Sequence, residues 1–208
     1  MLKKIIWSGL IFTSIGVCIS CQTGNKSNAP ERIKSDKPVS VDTGGLASAA
    51  NRKAMIAELG KNYQKSAQGQ YQKRIATIAP FKIQLVGGQT YTYKSLVPGK
   101  AVVLVYFSPG CDECQRFTEA LVKRLEELKD KQFVFITYEE LDSVEAFYKK
   151  NALDKYPQIK MGTEGYRFTV QKYYKVQHFP FVASYDKSGH LTKIYADNTR
   201  PEQLASRI

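Results

Sequence analysis

The residues best placed to do chemistry in this chain are two cysteines, Cys111 and Cys114, separated by two acidic residues. They follow an apolar run over residues 101–107 and open a segment with helical periodicity, so the pair should lie where a buried strand leads into a helix. A helix N-terminus presents unpaired N–H groups and the positive end of the helix dipole, which stabilise a thiolate on the first cysteine. The second cysteine, one turn on, can attack a mixed disulfide formed at the first. The spacing therefore predicts a redox-active dithiol.

A structural disulfide and half of a zinc site are the alternatives for this pair. Zinc usually takes four ligands. The other cysteines, Cys18 and Cys21, lie near the start of the chain, and there are two histidines, His178 and His190. This small supply of ligands favours the redox interpretation, and we expect no cofactor.

The start of the chain has the pattern of an export signal. A short charged segment, Met1–Lys4, precedes an apolar stretch over residues 5–20, which is short for a membrane span. The stretch ends at Ser20 before Cys21, and this order resembles a lipoprotein signal that is cleaved so that Cys21 becomes the acylated N-terminus. An ordinary secretory signal and an uncleaved anchor are the alternatives. We predict that residues 1–20 are a lipoprotein signal peptide and that the protein is a periplasmic, membrane-anchored lipoprotein.

The net charge of +12 is concentrated behind this signal. Residues 22–76 hold ten Lys and Arg against four Asp and Glu. We predict a basic tether over residues 21–76, partly helical from residue 47 but broken at Gly60 and Gly69. Such a tether would lie against an anionic lipid bilayer or serve as a solvated linker. The basic residues form no nucleic-acid motif, so no nucleic acid partner is expected.

The remaining residues, 77–208, are enough for one compact domain. Its patterns predict a β-hairpin over 81–93, a buried strand over 101–107, a helix to about Lys129, a strand over 132–138, a helix over 142–151, an irregular segment over 155–170, a helix over 168–176, a hairpin over 181–195 and a short final helix behind a capping box at Thr199–Glu202. This order predicts an α/β fold with a mixed central sheet flanked by helices and an N-terminal β-hairpin extension.

Three segments of this domain resemble a known family. Val102–Cys114 resembles the active-site segment of thioredoxin-fold proteins, and Phe179–Pro180, followed by a strand, resembles their cis-proline loop. The segments Ala79–Phe81 and Leu96–Lys100 are similar to the TlpA-like branch of thiol–disulfide oxidoreductases, whose members are exported and tethered. The resemblance covers roughly residues 77–208 and implies a thioredoxin-like fold.

The same resemblance implies roles for individual residues. Cys111 would be the attacking cysteine and Cys114 the more buried, resolving one. Pro180 would follow a cis peptide bond and face the dithiol. The substrate groove would be lined by Gly110, Phe179 and Glu113.

The chain also departs from the family pattern. The position six before the first cysteine usually carries a buried acid or amide, and here it is Val105. The residue before that cysteine is commonly Trp and here is Gly110, and a position that is Glu in some tethered reductases is Phe117. Asp112 and Glu113 oppose a thiolate beside them. Glu113 is left as the nearby candidate for a proton acceptor.

Together these features predict an enzyme: a membrane-tethered thiol–disulfide oxidoreductase that reduces disulfides of exported proteins or apocytochromes. It would react with exported protein thiols or disulfides and take electrons from a membrane or periplasmic donor. The alternatives are a copper-binding chaperone that uses Cys111, Cys114 and His178, since thiolates and imidazole suit Cu(I), and a redox-inactive binding module of the same fold.

Overall fold

The computed structural model describes residues 49–195 and 199–208. The predicted signal peptide, Cys21 and the first part of the predicted tether lie outside the described residues. In the part of the chain that is described, no helix has the length and apolar character needed to cross a membrane.

Within the described residues the strands form one sheet of seven, in the order β2-β1-β5-β4-β3-β6-β7. The strands are β1 Lys82–Leu85, β2 Thr90–Thr92, β3 Ala101–Tyr106, β4 Lys131–Thr137, β5 Ile159–Thr163, β6 Phe181–Tyr185 and β7 Leu191–Tyr195. The α-helices are α1 Ala49–Ile75, α2 Asp112–Val122, α3 Leu141–Lys150, α4 Thr169–Tyr174 and α5 Pro201–Ser206, and short 3-10 helices lie at Tyr93–Ser95, Leu153–Lys155 and Gly165–Arg167.

The sheet is mixed because two kinds of connection build it. Helices α2 and α3 carry the chain from β3 to β4 and from β4 to β5, so these three strands are parallel. Tight turns make β1 antiparallel to β2 and β6 antiparallel to β7, and the two hairpins extend the sheet at its ends. The predicted mixed sheet with an N-terminal hairpin is confirmed.

Strand β3 is buried on both faces, which explains its unbroken apolar sequence. Val103 and Val105 belong to a core cluster with Cys114 and Phe117 of α2. Tyr106 points to a second cluster on the opposite face of the sheet. The residues that follow β3 are therefore held from both sides.

The prediction of an irregular segment over 155–170 was wrong, because β5 lies inside it and pairs with β4 in the middle of the sheet. Its sequence contains Lys160 and Gly162, which obscure a strand pattern. Gly162 is needed for the close approach of β1, since a Cβ atom there would lie 2.3 Å from the carbonyl oxygen of Gln84.

The predicted breaks in the first helix were also wrong. Helix α1 runs without interruption through Gly60 and Gly69. Neither glycine has a neighbour within 4 Å of its would-be Cβ, so packing does not require a glycine at either position. Each lowers helix stability locally through its backbone entropy but does not end the helix. The last turn of α1 belongs to the folded core, where Ile75 is buried and its carbonyl accepts a hydrogen bond from Tyr185 at 3.2 Å.

Three predicted helix ends moved. Helix α2 ends at Val122 rather than near Lys129, because the chain continues in turns with shorter-range backbone hydrogen bonds. Helix α3 begins at Leu141, one residue before the predicted start, with Glu140 as its N-cap. Helix α5 has Arg200 as its N-cap, so the predicted capping box does not start it.

Candidate functional site

Cys111 is the N-cap residue of α2, as the sequence predicted. Its sulfur accepts a hydrogen bond from the backbone N–H of Cys114 at 3.3 Å, which is how a cap satisfies a free donor of the first helical turn. Its thiol also faces the carbonyl oxygen of Phe179 at 3.9 Å. The Cys111 side chain is half-buried, so an incoming disulfide can reach the sulfur.

Cys114 lies one turn further on and is only 1 % exposed. Burial raises the pKa of its thiol above the ordinary value, and the hydrogen bond with Cys111 and the nearby charge of Glu113 act in the same direction. A weaker opposing effect comes from the backbone of Ser108. The two free thiols are therefore unequal: Cys111 is accessible and caps the helix with its sulfur, whereas Cys114 lies inside the core, where burial raises its pKa.

The proline loop lies directly against this dithiol. The Phe179–Pro180 peptide bond is cis, as the resemblance implied. The ring of Phe179 packs 5.9 Å from that of Tyr106 and 6.5 Å from that of Tyr138, measured between centroids. The residue whose carbonyl faces the Cys111 sulfur is thus fixed by side chains from the ends of β3 and β4.

A buried carboxylate supports the proline loop through Tyr106, whose ring packs against Phe179. Glu164 is 5 % exposed, and its Oε1 accepts a hydrogen bond from the Tyr106 hydroxyl at 2.8 Å. Its Oε2 accepts from the backbone N–H of Val170 at 2.9 Å, at the start of α4. Burial and the carboxylate both raise the pKa of Tyr106, so this hydroxyl stays protonated and remains the donor. Sequence reasoning missed Glu164 because it missed β5, which the residue follows.

The acidic residues predicted beside the dithiol, Asp112 and Glu113, are exposed in the first turn of α2. Gly110 is exposed just before them. A further carboxylate, which the sequence did not single out, stands near: Glu139 accepts a hydrogen bond from the Ser108 hydroxyl at 2.5 Å.

In the described part of the chain, apolar residues rather than an acid occupy the positions beneath the dithiol. Val105 and Phe117 are fully buried and share an apolar cluster with Cys114. Within residues 49–195 and 199–208, Cys114 makes no hydrogen bond to a carboxylate. A proton leaving this thiol must therefore reach water or an exposed acid.

His178 does not join the dithiol. It is exposed and lines a surface cavity with Gln68, Tyr71 and Lys175. Among the described residues, no group of three or more His, Cys, Asp or Glu side chains is arranged to hold a metal ion. The ligand set that the copper alternative needs is not assembled in this part of the chain.

Solved structures share this architecture. A secreted Mycobacterium tuberculosis disulfide oxidoreductase homologous to E. coli DsbE matches with a TM-score of 0.52 and 20 % identity, over 62 % of this chain and 93 % of that one. The thioredoxin domain of a Bacteroides vulgatus thiol-disulfide oxidoreductase matches with a TM-score of 0.52 and 15 % identity, over 64 % and 94 %. Peroxidoxin BcpB from Mycobacterium tuberculosis matches with a TM-score of 0.55 and 13 % identity, over 63 % and 90 %.

Neither a family model nor a curated protein matches the sequence. The structural matches have sequence identities of 13–20 %, and at this level they show the fold alone. The mixed seven-stranded sheet flanked by helices is the architecture that these matches cover. The chain has the thioredoxin fold, which confirms the fold that its sequence predicted.

Proposed function

We propose that this protein is a membrane-tethered thiol–disulfide oxidoreductase that reduces disulfides of exported proteins or apocytochromes. One observation carries the proposal: the accessible sulfur of Cys111 lies between the first turn of α2 and the carbonyl of Phe179, with the buried thiol of Cys114 one turn behind. The structural similarity to disulfide oxidoreductases supports it.

The reaction has two steps. The Cys111 thiolate attacks one sulfur of a substrate disulfide, and a mixed disulfide forms as the other substrate sulfur leaves and takes up a proton. Cys114 then loses its proton and attacks the Cys111 sulfur, which releases the second substrate thiol. The substrate gains two electrons and two protons, and the protein is left with a Cys111–Cys114 disulfide. An external dithiol donor must reduce that disulfide before the next cycle.

The burial of Cys114 gives the two cysteines different roles. Its thiol is shielded from other disulfides, so it reacts with the sulfur next to it. We propose that Glu113, which is exposed in the first turn of α2 and whose charge acts on the Cys114 thiol, accepts the proton through water.

Single-cysteine variants test this assignment. Cys111→Ser should abolish reduction of a protein disulfide such as that of insulin, whereas Cys114→Ser should accumulate a mixed disulfide that non-reducing electrophoresis detects. Turnover by the Cys111→Ser variant, or trapping through Cys114, would reverse the roles. A wild-type protein that exchanges with no disulfide would instead be a binding module.

The reduction potential of the pair tests the direction of electron flow and the copper alternative together. We expect a value nearer to that of thioredoxin, about −270 mV, than to that of a strong oxidant, about −120 mV. Any binding of Cu(I) to the reduced dithiol should be unaffected by His178→Ala, because His178 lines a surface cavity with other residues and, within the residues that the structure describes, forms no metal-binding group with the two cysteines. A tight Cu(I) complex that His178→Ala weakens would favour the chaperone instead.

The tether is proposed from the sequence pattern that ends at Cys21. We expect the mature protein to begin at an acylated Cys21 and to fractionate with membranes. Mass spectrometry of the N-terminus measures this directly, and a Cys21→Ser variant is the control. An unmodified N-terminus, or an intact Met1, would contradict the lipoprotein assignment.

A further inference from the structure

We infer that four aromatic side chains beside the dithiol bind an extended segment of the substrate that carries large apolar side chains at alternating positions. These residues, called the aromatic row below, are Phe179, Tyr138, Phe168 and Tyr166. The inference rests on the proposed function and specifies the class of substrate that the same site takes.

The aromatic row is continuous and begins at the reacting sulfur. Ring centroids are 6.5 Å apart between Phe179 and Tyr138, 5.4 Å between Tyr138 and Phe168, and 6.1 Å between Phe168 and Tyr166. Its first member provides the carbonyl that faces the Cys111 thiol. Its last member is 69 % exposed, and the other three rings are half-buried, so the row presents apolar surface to solvent.

The spacing of the row fits a β-strand. Alternate side chains of an extended peptide lie on one face, about 6.6 Å apart, because each residue advances the chain by about 3.3 Å. A peptide with its cysteine at Cys111 could therefore place every second side chain over successive rings. Strand-like binding of this kind takes affinity from the peptide backbone and specificity from the alternate side chains.

The aromatic row includes one residue, Phe168, whose backbone conformation is strained and must be supported by neighbouring residues. Phe168 has a φ of 51°, in the left-handed region that a bulky residue rarely adopts, at a cost of about 1–3 kcal/mol. Glu164 offsets this by accepting the N–H of Val170, two residues later. The result is that the Phe168 ring stands against Tyr138 rather than folding into the core.

Charges along the row have both signs. The Glu140 carboxylate raises the pKa of the Tyr166 hydroxyl, and the Lys172 ammonium lies 5.8 Å from the centroid of the Phe168 ring. Since neither sign dominates, the rings themselves provide the recognition, which favours aromatic and large aliphatic partners over charged ones.

Peptide binding to the reduced full-length protein tests this inference without requiring turnover. The probes are nonapeptides with serine in place of the reacting cysteine. One peptide carries phenylalanine two and four residues before that serine, a second carries it two and four residues after, and a third carries threonine at all four positions. Calorimetry should show that one phenylalanine peptide binds at least about tenfold more tightly than the threonine peptide.

Variants then locate the binding surface. Tyr166→Ser and Tyr138→Ser should reduce this preference, whereas Tyr166→Phe, which keeps the ring, should retain it. Tyr63→Ser is the matched control, because Tyr63 is 77 % exposed on α1 and lies outside the row. Equal affinities for all three peptides, or an unchanged preference in both serine variants, would overturn the inference.

A small disulfide separates this result from the proposed function. Reduction of 2-hydroxyethyl disulfide requires the dithiol. The molecule itself is too small to reach Phe168 and Tyr166 while it reacts at Cys111. Exchange with this probe but no preference for the phenylalanine peptides would contradict binding by the aromatic row and would support the oxidoreductase function. A preference for the phenylalanine peptides without disulfide exchange would contradict the oxidoreductase function and would support a peptide-binding surface.

Discussion

Removing the hydroxyl of Tyr106 should destabilise the protein without removing the aromatic ring beside the proline loop. In Tyr106→Phe the ring can still pack against Phe179, while the buried carboxylate of Glu164 loses the donor at 2.8 Å. Its Oε2 keeps the N–H of Val170 at 2.9 Å. The substitution therefore isolates one hydrogen bond to a buried acceptor.

The expected cost follows from that geometry. A hydrogen bond to a charged group contributes about 1.5–3 kcal/mol, and no water can easily replace the donor beside a side chain that is 5 % exposed. We therefore expect the free energy of unfolding to fall by about 1.5–3 kcal/mol. For a domain of this size the melting temperature should drop by roughly 3–12 °C.

Urea unfolding and thermal melts measure this change, with Tyr148→Phe as the control. Tyr148 is a half-buried tyrosine of α3, and its variant should stay within about 0.5 kcal/mol of wild type. In a double-mutant cycle with Glu164→Gln, the two substitutions should couple by at least about 0.5 kcal/mol. A Tyr106→Phe protein as stable as the control, or strictly additive effects, would refute the role of this bond.

Three further results are expected. Asp112→Asn combined with Glu113→Gln should raise the reduction potential measured in redox buffers, because removing two negative charges stabilises the Cys111 thiolate and hence the reduced form; an unchanged or lower potential would contradict this. Burial raises the pKa of the Cys114 thiol, so the contribution of this thiol to stability is complete below about pH 8.5, the pKa of an unfolded cysteine, and is lost as the pH rises. Urea unfolding between about pH 7 and pH 9.5 should therefore show wild type losing up to about 1.4 kcal/mol per pH unit relative to Cys114→Ala. Parallel curves for the two proteins would disprove this prediction. Gly162→Ala should destabilise the fold by about 1–3 kcal/mol in the same assay because its Cβ would collide with backbone, whereas Gly60→Ala should stabilise it slightly.

The site could be predicted where its residues are close in sequence or carry a strong local pattern. The apolar run before Cys111 and the helical periodicity after it placed the cysteine at the start of a helix, and the structure agrees. The resemblance implied that Cys114 is the more buried cysteine, and its side chain lies in the core cluster with Phe117 of α2. The cis bond before Pro180 came from the resemblance to a family, since neighbouring residues alone do not select it.

Strand β5 could not be predicted because its sequence is short and contains Lys160 and Gly162. Gly162 suits a strand here because it admits the backbone of β1. Missing this strand also concealed Glu164, whose carboxylate gains the Tyr106 hydroxyl as a partner only when β3 lies in the same sheet.

The sequence by itself determined the dithiol, its strand and helix, and the fold class, because each depends on local periodicity and on residue types a few positions apart. Only the tertiary structure decided what surrounds the dithiol. Tyr106, Tyr138 and Glu164 follow or end three parallel strands, and parallel pairing gathers these ends at one edge of the sheet. Phe168 and Phe179 reach the same edge from later segments. These residues are up to 73 positions apart, from 106 to 179, and no local pattern encodes a contact between them.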